Sequence, residues 1–412
     1  MTSGQRATAA IAWMGALVAS SVLHAAVERW QVAFIVPVVV VWGALVLGLA
    51  RDAPPLRHAV LASILVRLWM VGTPPVLSDD VYRYLWEGQA LWAGHAPLYM
   101  SPEAVMAADP TLAPALGSRV NHPELPSVYP PLAMAWFAGL AFLGGAVPAA
   151  QLATLAADGV TVAALHRLHP RGAWLYALSP LPVLEAASGA HIDVPAITLS
   201  LLGVLALRAH RAELGFGLLV AGALAKLFPL VTLPTAWRRL RGASRWWTPL
   251  GAALGVALLA LPLLRASIPP GLVAYGTRWS FNGPLFVPLH GALGALARPI
   301  ALAVGAAIGV GVAWRARDVL VAWAVMGVAF VMLTPTMHPW YLLWALVPSL
   351  ALGRREVAAA AVFVPVSYAV LATWDETTGS WDAGPWLWAA TWPPAMGAAA
   401  LVWAADRRSS LR

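Results

Sequence analysis

Long apolar stretches, broken by short polar knots, make up most of the chain. Candidate helices run near 8–27, 31–50, 58–73, 131–146, 149–166, 172–188, 192–208, 214–236, 247–264, 299–315, 318–334, 340–352, 356–372 and 386–403. Runs such as VAFIVPVVVVWGALVLGLA from Val32 show no apolar–polar alternation. That excludes the strands of a membrane barrel, whose two faces must alternate. A spanning helix needs about 20 apolar residues, and a shorter segment reads as re-entrant or half-spanning. The expected architecture is an all-α polytopic membrane protein, a single transmembrane domain over 1–412, with about 12–14 crossings.

Composition sharpens this picture. Sixty per cent of the 412 residues are hydrophobic and 11% are charged, against about 45–50% and about 25% in a soluble domain. An ordinary soluble enzyme and a disordered chain are excluded. There is no cysteine, which removes disulfides, thiolate metal sites and thiol catalysis. The net charge of +8 is not a nucleic-acid signal, because the basic residues sit at span ends, where Arg and Lys set orientation. Lys226 is the single lysine among the 26 Lys and Arg residues. Arginine in place of lysine, with abundant Ala and Gly, reads as a G+C-rich bacterial genome. The 22 Trp fit interfacial belts. The first apolar stretch, after Arg6, is expected to be a retained span, with a signal peptide as its alternative.

The basic loops orient the rest. Arg51 to Arg57, Trp237 to Arg245, Arg315 to Arg317, Arg354-Arg355 and the tail from Arg407 to Arg412 belong on the cytoplasmic side. The loops 74–130, 266–298, 334–339 and 374–385 then face outward. His166 to Arg171 and Arg208 to Arg211 break this parity, which points to re-entrant hairpins between 131 and 208. The loop 74–130 carries Asp79, Asp80, Arg83, Glu87, Glu103, Asp109, Arg119, His122 and Glu124. So much charge in an apolar chain marks a functional segment. Its stretch 85–92 looks amphipathic, as in a helix lying at the membrane surface.

Six short segments hold candidate chemistry. In Ser78-Asp79-Asp80-Val81-Tyr82-Arg83, two carboxylates follow a span. They read either as the capped first turn of a surface helix or as a general base held just above the lipid. Arg83 lies one helical turn on, placed to pair with them or to hold a phosphate. In Asn121-His122-Pro123-Glu124 to Tyr129-Pro130-Pro131, the prolines impose an extended entry to the next span, and His122 and Tyr129 are candidate substrate contacts. His191 and Asp193 lie within membrane sequence, where a polar or charged group is costly unless it works or bonds a neighbouring helix. Lys226, in an apolar span, needs an anionic partner or a path to the surface. Arg278 and Asn282 sit on the second outside loop, with Arg suited to phosphate. His338 sits at an outside helix entry within the last segment, Thr334 to Trp344. No phosphate loop of the GxxxxGK[ST] type occurs, so no ATPase is expected. No cofactor is indicated, although the adjacent acids can hold a divalent cation.

In this order the six segments resemble the GT-C superfamily of integral-membrane glycosyltransferases, and most nearly bacterial polyprenyl-phosphate-mannose-dependent mannosyltransferases. Ser78 to Gly88 is similar to that group's acidic motif in the first loop. Asn121 to Glu124 with Tyr129-Pro130-Pro131 is similar to its second landmark. The likeness continues through Gly189 to Asp193, Lys226 to Pro229, Arg278 to Asn282 and His338 to Tyr341, over roughly 60–350. It departs where the family commonly has Gly, any residue, Asn, Pro, Tyr, and this chain has Gly94-His95-Ala96-Pro97-Leu98-Tyr99. It departs again at Ile192.

The resemblance implies a GT-C-like helical bundle with a juxtamembrane helix in the first large extracytoplasmic loop. It implies a hexose donor, expected to be mannose, on a polyprenyl monophosphate, and a glycan or glycolipid acceptor. It also implies inversion at the anomeric carbon and an acidic catalytic base, Asp79 first and Asp80 second. Arg278, His338 and Lys226 would then meet the leaving phosphate. The expected location is a bacterial cytoplasmic membrane, multi-pass, with the active site facing outward. The alternative is a transporter or lipid flippase, for which polar residues near the midplane and internal repeats would be expected; here the polar residues gather in outside loops.

Overall fold

The computed structural model describes residues 31–49, 56–112, 116–261, 263, 267–375, 377 and 380–410. The first predicted span, 8–27, and Arg51 and Arg412 lie outside the described residues. The described chain is helical almost throughout. Its one regular sheet is a two-stranded antiparallel ribbon, Trp374–Asp375 with Ser380–Trp381.

Observed helices follow the predicted apolar segments closely. Val32–Leu49, Val147–Leu168, Asp193–Arg208, Ala297–Arg315, Val319–Leu333 and Pro385–Ser410 each coincide with one. Fewer of them than the expected 12–14 reach spanning length unaided. By length and composition, Val147–Leu168, Phe286–Arg315 and Glu356–Thr373 do so among the described residues. Pro180–Ser188 and Asp193–Arg208 add a fourth if they count as one interrupted span. Proline is the reason for much of the shortening. It lacks an N–H and disfavours helix in the residue before it. Thus the predicted segment 214–236 becomes a helix Ala212–Ala225, a cap at Lys226 and a 3-10 turn, Phe228–Thr232, that begins around Pro229. Likewise 172–188 divides into Pro170–Leu178, Pro180–Val183 and a π-helical turn, Leu184–Ser188.

The chain forms two compact units. One comprises the described parts of Met1–Leu77, Thr161–Ser188 and Ser280–Arg412. Trp42, Trp174, Trp323 and Trp344 are fully buried within it. Backbone meets backbone closely at Gly172, where a Cβ would overlap the Leu350 carbonyl, and at Gly327, where it would overlap that of Trp344. Tyr368 donates to Glu185 at 2.7 Å in this interior. The segment Phe286–Arg315 is only 11% buried. An apolar surface of that kind is stable against lipid and not against water.

The second unit comprises Ser78–Val160 and Gly189–Trp279. Asp193–Arg208 lies against Ala212–Ala225 through small residues. A Cβ on Gly203 would come within 3.0 Å of the Gly215 carbonyl, and a Cβ on Gly222 within 2.5 Å of Ser200 Oγ. Small residues let membrane helices approach closely and gain dispersion contacts. The acidic helix, Asp80–Trp92, lies on Pro131–Phe142 through Gly88, where a Cβ would overlap the Phe137 carbonyl. A helix resting on lipid would bury one face only. This one buries Val81, Arg83, Tyr84, Leu85, Trp86, Glu87, Gly88 and Ala90, so protein covers most of its circumference.

Candidate functional site

The second unit gathers a polar cluster around Asp80. Asp79 occupies the helix cap position without a side-chain cap bond. The Asp80 amide donates to Ser78 Oγ at 3.4 Å. Asp80 thereby becomes the first helical residue, and Tyr84, four residues on, stands on the same face. Tyr84 OH donates to Asp80 Oδ2 at 3.3 Å and Tyr129 OH reaches the same oxygen at 3.5 Å. Asn121 Nδ2 donates to the other oxygen, Oδ1, at 2.8 Å. His191 Nε2 lies 3.9 Å from Oδ2 and 3.2 Å from Ser78 Oγ.

Aromatic packing fixes the two tyrosines. Tyr84 stacks on Phe137 with centroids 4.5 Å apart and planes at 6°, and Tyr129 meets both rings edge-on. Burial pushes both phenols well above their ordinary range, and the Asp80 charge adds to the effect. They stay protonated, and so remain donors, at any physiological pH.

Lys226 joins this cluster from a helix end. Its ammonium donates to Asp193 Oδ2 at 2.9 Å and stands 5.5 Å from the centroid of the Tyr129 ring. Asp193 is fully buried, in the first turn of its helix, where the dipole favours a carboxylate. Lys226 keeps 19% of its side chain exposed. Gly189 makes room for the His191 ring, since a Cβ there would come within 2.6 Å of it. Ala190, between them, has φ +49, a conformation that costs an ordinary residue roughly 1–3 kcal/mol and tends to cluster at working sites.

Other expected site residues fall differently. Arg83 pairs with neither Asp79 nor Asp80. Its Nε donates to Glu87 at 2.8 Å, and its other nitrogens donate to the carbonyls of Asn121, His122 and Leu125. With four donor contacts made to protein, little of its fork remains for a phosphate. Glu87 also accepts from Ser127 at 2.8 Å. Burial raises the Glu87 carboxyl above its usual range, and Arg83 opposes that rise. His122 is exposed, has φ +45, and meets Trp279 ring to ring at 4.5 Å. Arg278 is exposed at the end of the helix Pro270–Arg278.

The first unit brings the last two predicted segments together. Phe281 N donates to Pro335 O at 3.0 Å and Met337 N to Phe281 O at 2.7 Å. His338 stacks with Trp340, at 4.5 Å, and with Phe281, at 5.2 Å. Asn282, 7% exposed with φ +45, donates to Ser367 Oγ at 2.8 Å, while Trp392 donates to its carbonyl at 2.6 Å. Its Oδ1 is buried and unmatched.

Tyr84, Asn121, Glu87 and Ser127 were not singled out from sequence. Tyr84 was legible, since four-residue spacing on a helix aligns it with Asp80. Glu87 is legible in the same way, four residues after Arg83, whereas Asn121 and Ser127 need contacts across about 40 residues. No three His, Asp or Glu side chains among the described residues converge as a metal site.

Fold and cluster together define a multi-pass, all-α membrane protein with a part-exposed carboxylate, Asp80, among buried tyrosines and a buried histidine, beside a lysine–aspartate pair. Residues 281–405 match the MptB C-terminal domain family. The chain is similar to a probable alpha-(1->6)-mannopyranosyltransferase of Mycolicibacterium smegmatis, 26% identical over a 375-residue alignment. That alignment covers 70% of this chain and 64% of the relative, so the match takes in less than two thirds of the relative's length. No solved structure matches. These matches bear out the resemblance to GT-C mannosyltransferases that the motifs carry.

Proposed function

We propose that this protein is a membrane mannosyltransferase that moves mannose from a polyprenyl-monophosphate carrier to a glycan or glycolipid acceptor. The acceptor hydroxyl attacks the anomeric carbon from the face opposite the phosphate, so the configuration inverts. Asp80 takes the hydroxyl proton as the new C–O bond forms. The old bond, from carbon to phosphate oxygen, breaks and polyprenyl phosphate leaves with the bonding pair. Lys226 supplies positive charge to that leaving group, with Arg278 as a further candidate. His122 remains a candidate substrate contact. The site faces outward from a bacterial cytoplasmic membrane.

The observation that carries this reading is the Asp80 carboxylate, held by Asn121, Tyr84 and Tyr129 with His191 close by. A general base works only when held within hydrogen-bond reach of its proton, and four groups converge here on one carboxylate. Asp79, the neighbour favoured by resemblance, occupies the cap position instead.

The deciding assay is transfer or hydrolysis of radiolabelled mannose from polyprenyl-phosphate-mannose by purified protein in detergent. Asp80→Asn is expected to lose at least about a hundredfold, the usual worth of a general base, while Asp79→Asn keeps most of its turnover. Loss confined to Asp79→Asn would move the base one residue back. Full turnover in both variants would remove the base from this loop.

A further inference from the structure

Asn121, whose amide donates to Asp80 at 2.8 Å, lies in a stretch, 120–130, that is neither helix nor strand. Regular structure therefore does not hold its amide in place. Arg83 does. Its Nη1 donates to Asn121 O at 3.1 Å and His122 O at 3.2 Å, and its Nη2 donates to Leu125 O at 2.6 Å. Three carbonyls of one turn thus converge on one planar fork, a geometry a lysine cannot supply. The fork is itself aimed by Glu87, whose side chain is 0% exposed and which accepts from Arg83 at 2.8 Å. The second Glu87 oxygen accepts from Ser127, at the far end of the same turn. Within this turn His122 adopts φ +45, a conformation that persists only where surrounding bonds enforce it.

We propose that Arg83 and Glu87 are positioning residues, a clasp that holds the turn 121–125 so that the Asn121 amide stays fixed on the Asp80 carboxylate. The inference rests on Asp80 being the base. Arg83 then acts on the reaction without touching substrate, through three carbonyls and one amide.

The test is a double-mutant cycle in the polyprenyl-phosphate-mannose assay, with Arg83→Gln, Asn121→Ala, their combination, and Asp80→Asn beside them. Arg83→Gln is expected to lower kcat at least about tenfold, since misplacing a group by an ångström costs up to about a hundredfold. KM for the donor stays within about twofold, because the clasp acts on positioning and not on ground-state donor binding. The combined variant falls no further than the worse single one, because both remove the same contact. Losses that multiply, or an unchanged kcat in Arg83→Gln, overturn the proposal. Hydrogen exchange across 120–127, on the same proteins, reads the clasp without turnover. Faster exchange there, with the rest of the unit still protected, is expected, and unchanged exchange overturns the clasp. Should Arg83→Gln fail to fold, Glu87→Gln replaces it in the cycle, with the same expected outcomes. Wild-type turnover in Asp80→Asn would reject the base assignment and leave the exchange result to judge the clasp by itself.

Discussion

Asn121 donates to Asp80 at 2.8 Å across 41 residues of chain, one of the bonds that join the two motifs of the first loop. Replacing the amide with a carboxylate tests its sign. Asn121→Asp sets a second negative charge where a donor stood, and like charges at that distance cannot both stay ionised. Turnover at neutral pH is expected to fall further in Asn121→Asp than in Asn121→Ala. Equal rates in the two variants would show that the contact does not form.

Tyr84 and Tyr129 present hydroxyls to Asp80 while their rings pack on Phe137. Substitution by Phe keeps the packing and deletes one donor. Tyr129→Phe and Tyr84→Phe are each expected to fold normally and lose activity. The pH dependence follows from their buried hydroxyls. Both phenols are held above their ordinary value, so the neutral donor persists where exposed tyrosines ionise, near pH 10. In a spectrophotometric titration to about pH 11, the tyrosinate signal of either variant should match that of wild type. A smaller signal in the variant would show that the deleted tyrosine titrates normally.

The Lys226–Asp193 pair, at 2.9 Å with Asp193 fully buried, separates stability from chemistry. Lys226→Met strands a buried carboxylate and is expected to cost about 3–5 kcal/mol. Asp193→Asn added to it removes the stranded charge, so thermal stability should largely return. Activity should not return, because the cation proposed to meet the leaving phosphate is gone. Recovery of turnover in the double variant would confine the pair to a structural role.

Gly88 brings the acidic helix against the Phe137 carbonyl with no room for a Cβ. Gly88→Ala must therefore push the helix off Pro131–Phe142. A loss of about 1–3 kcal/mol is expected, as for overpacking elsewhere, with a fall in turnover because Asp80 rides on that helix. Thermal unfolding and the mannose-transfer assay check the two effects. A variant as stable and active as wild type would show that the two helices tolerate wider spacing.

The alpha-(1→6) linkage in the relative's name gives a stereochemical test. An inverting enzyme making an alpha product must consume a beta-linked donor. If the proposed reaction inverts and this chain makes the same alpha linkage, polyprenyl-phosphate-mannose of beta configuration turns over and the alpha anomer does not. Use of the alpha donor to give an alpha product would mean retention, and would remove the single-displacement mechanism.

Apolar runs long enough to be helices are visible without any fold, because burial in lipid demands continuous hydrophobicity and proline marks where a helix stops. That is why the segments near 31–50, 149–166, 192–208 and 318–334 reappear as helices within a few residues. The exceptional charge of 74–130, the lone Lys226 and His191 with Asp193 were equally plain, because charge in an apolar chain stands out by its cost. The partners of those groups were not visible. Neighbouring residues on a helix point about 100° apart, so Asp79 and Asp80 look alike until packing decides which face is inside. The burial of Val81, Tyr84 and Gly88 makes that choice and turns Asp80 toward Tyr129 and Asn121. Spacing alone offers Arg83 either the acids one turn before it or a phosphate, yet it turns to Glu87 and to carbonyls 38 to 42 residues away. In the same way Phe281 and Asn282 meet Thr336, because the backbone bonds that join them run between segments some 55 residues apart. Local sequence sets where the helices and the costly charges lie. Contacts between distant segments decide which charge answers which, because a side chain's direction is settled only when its helix is packed.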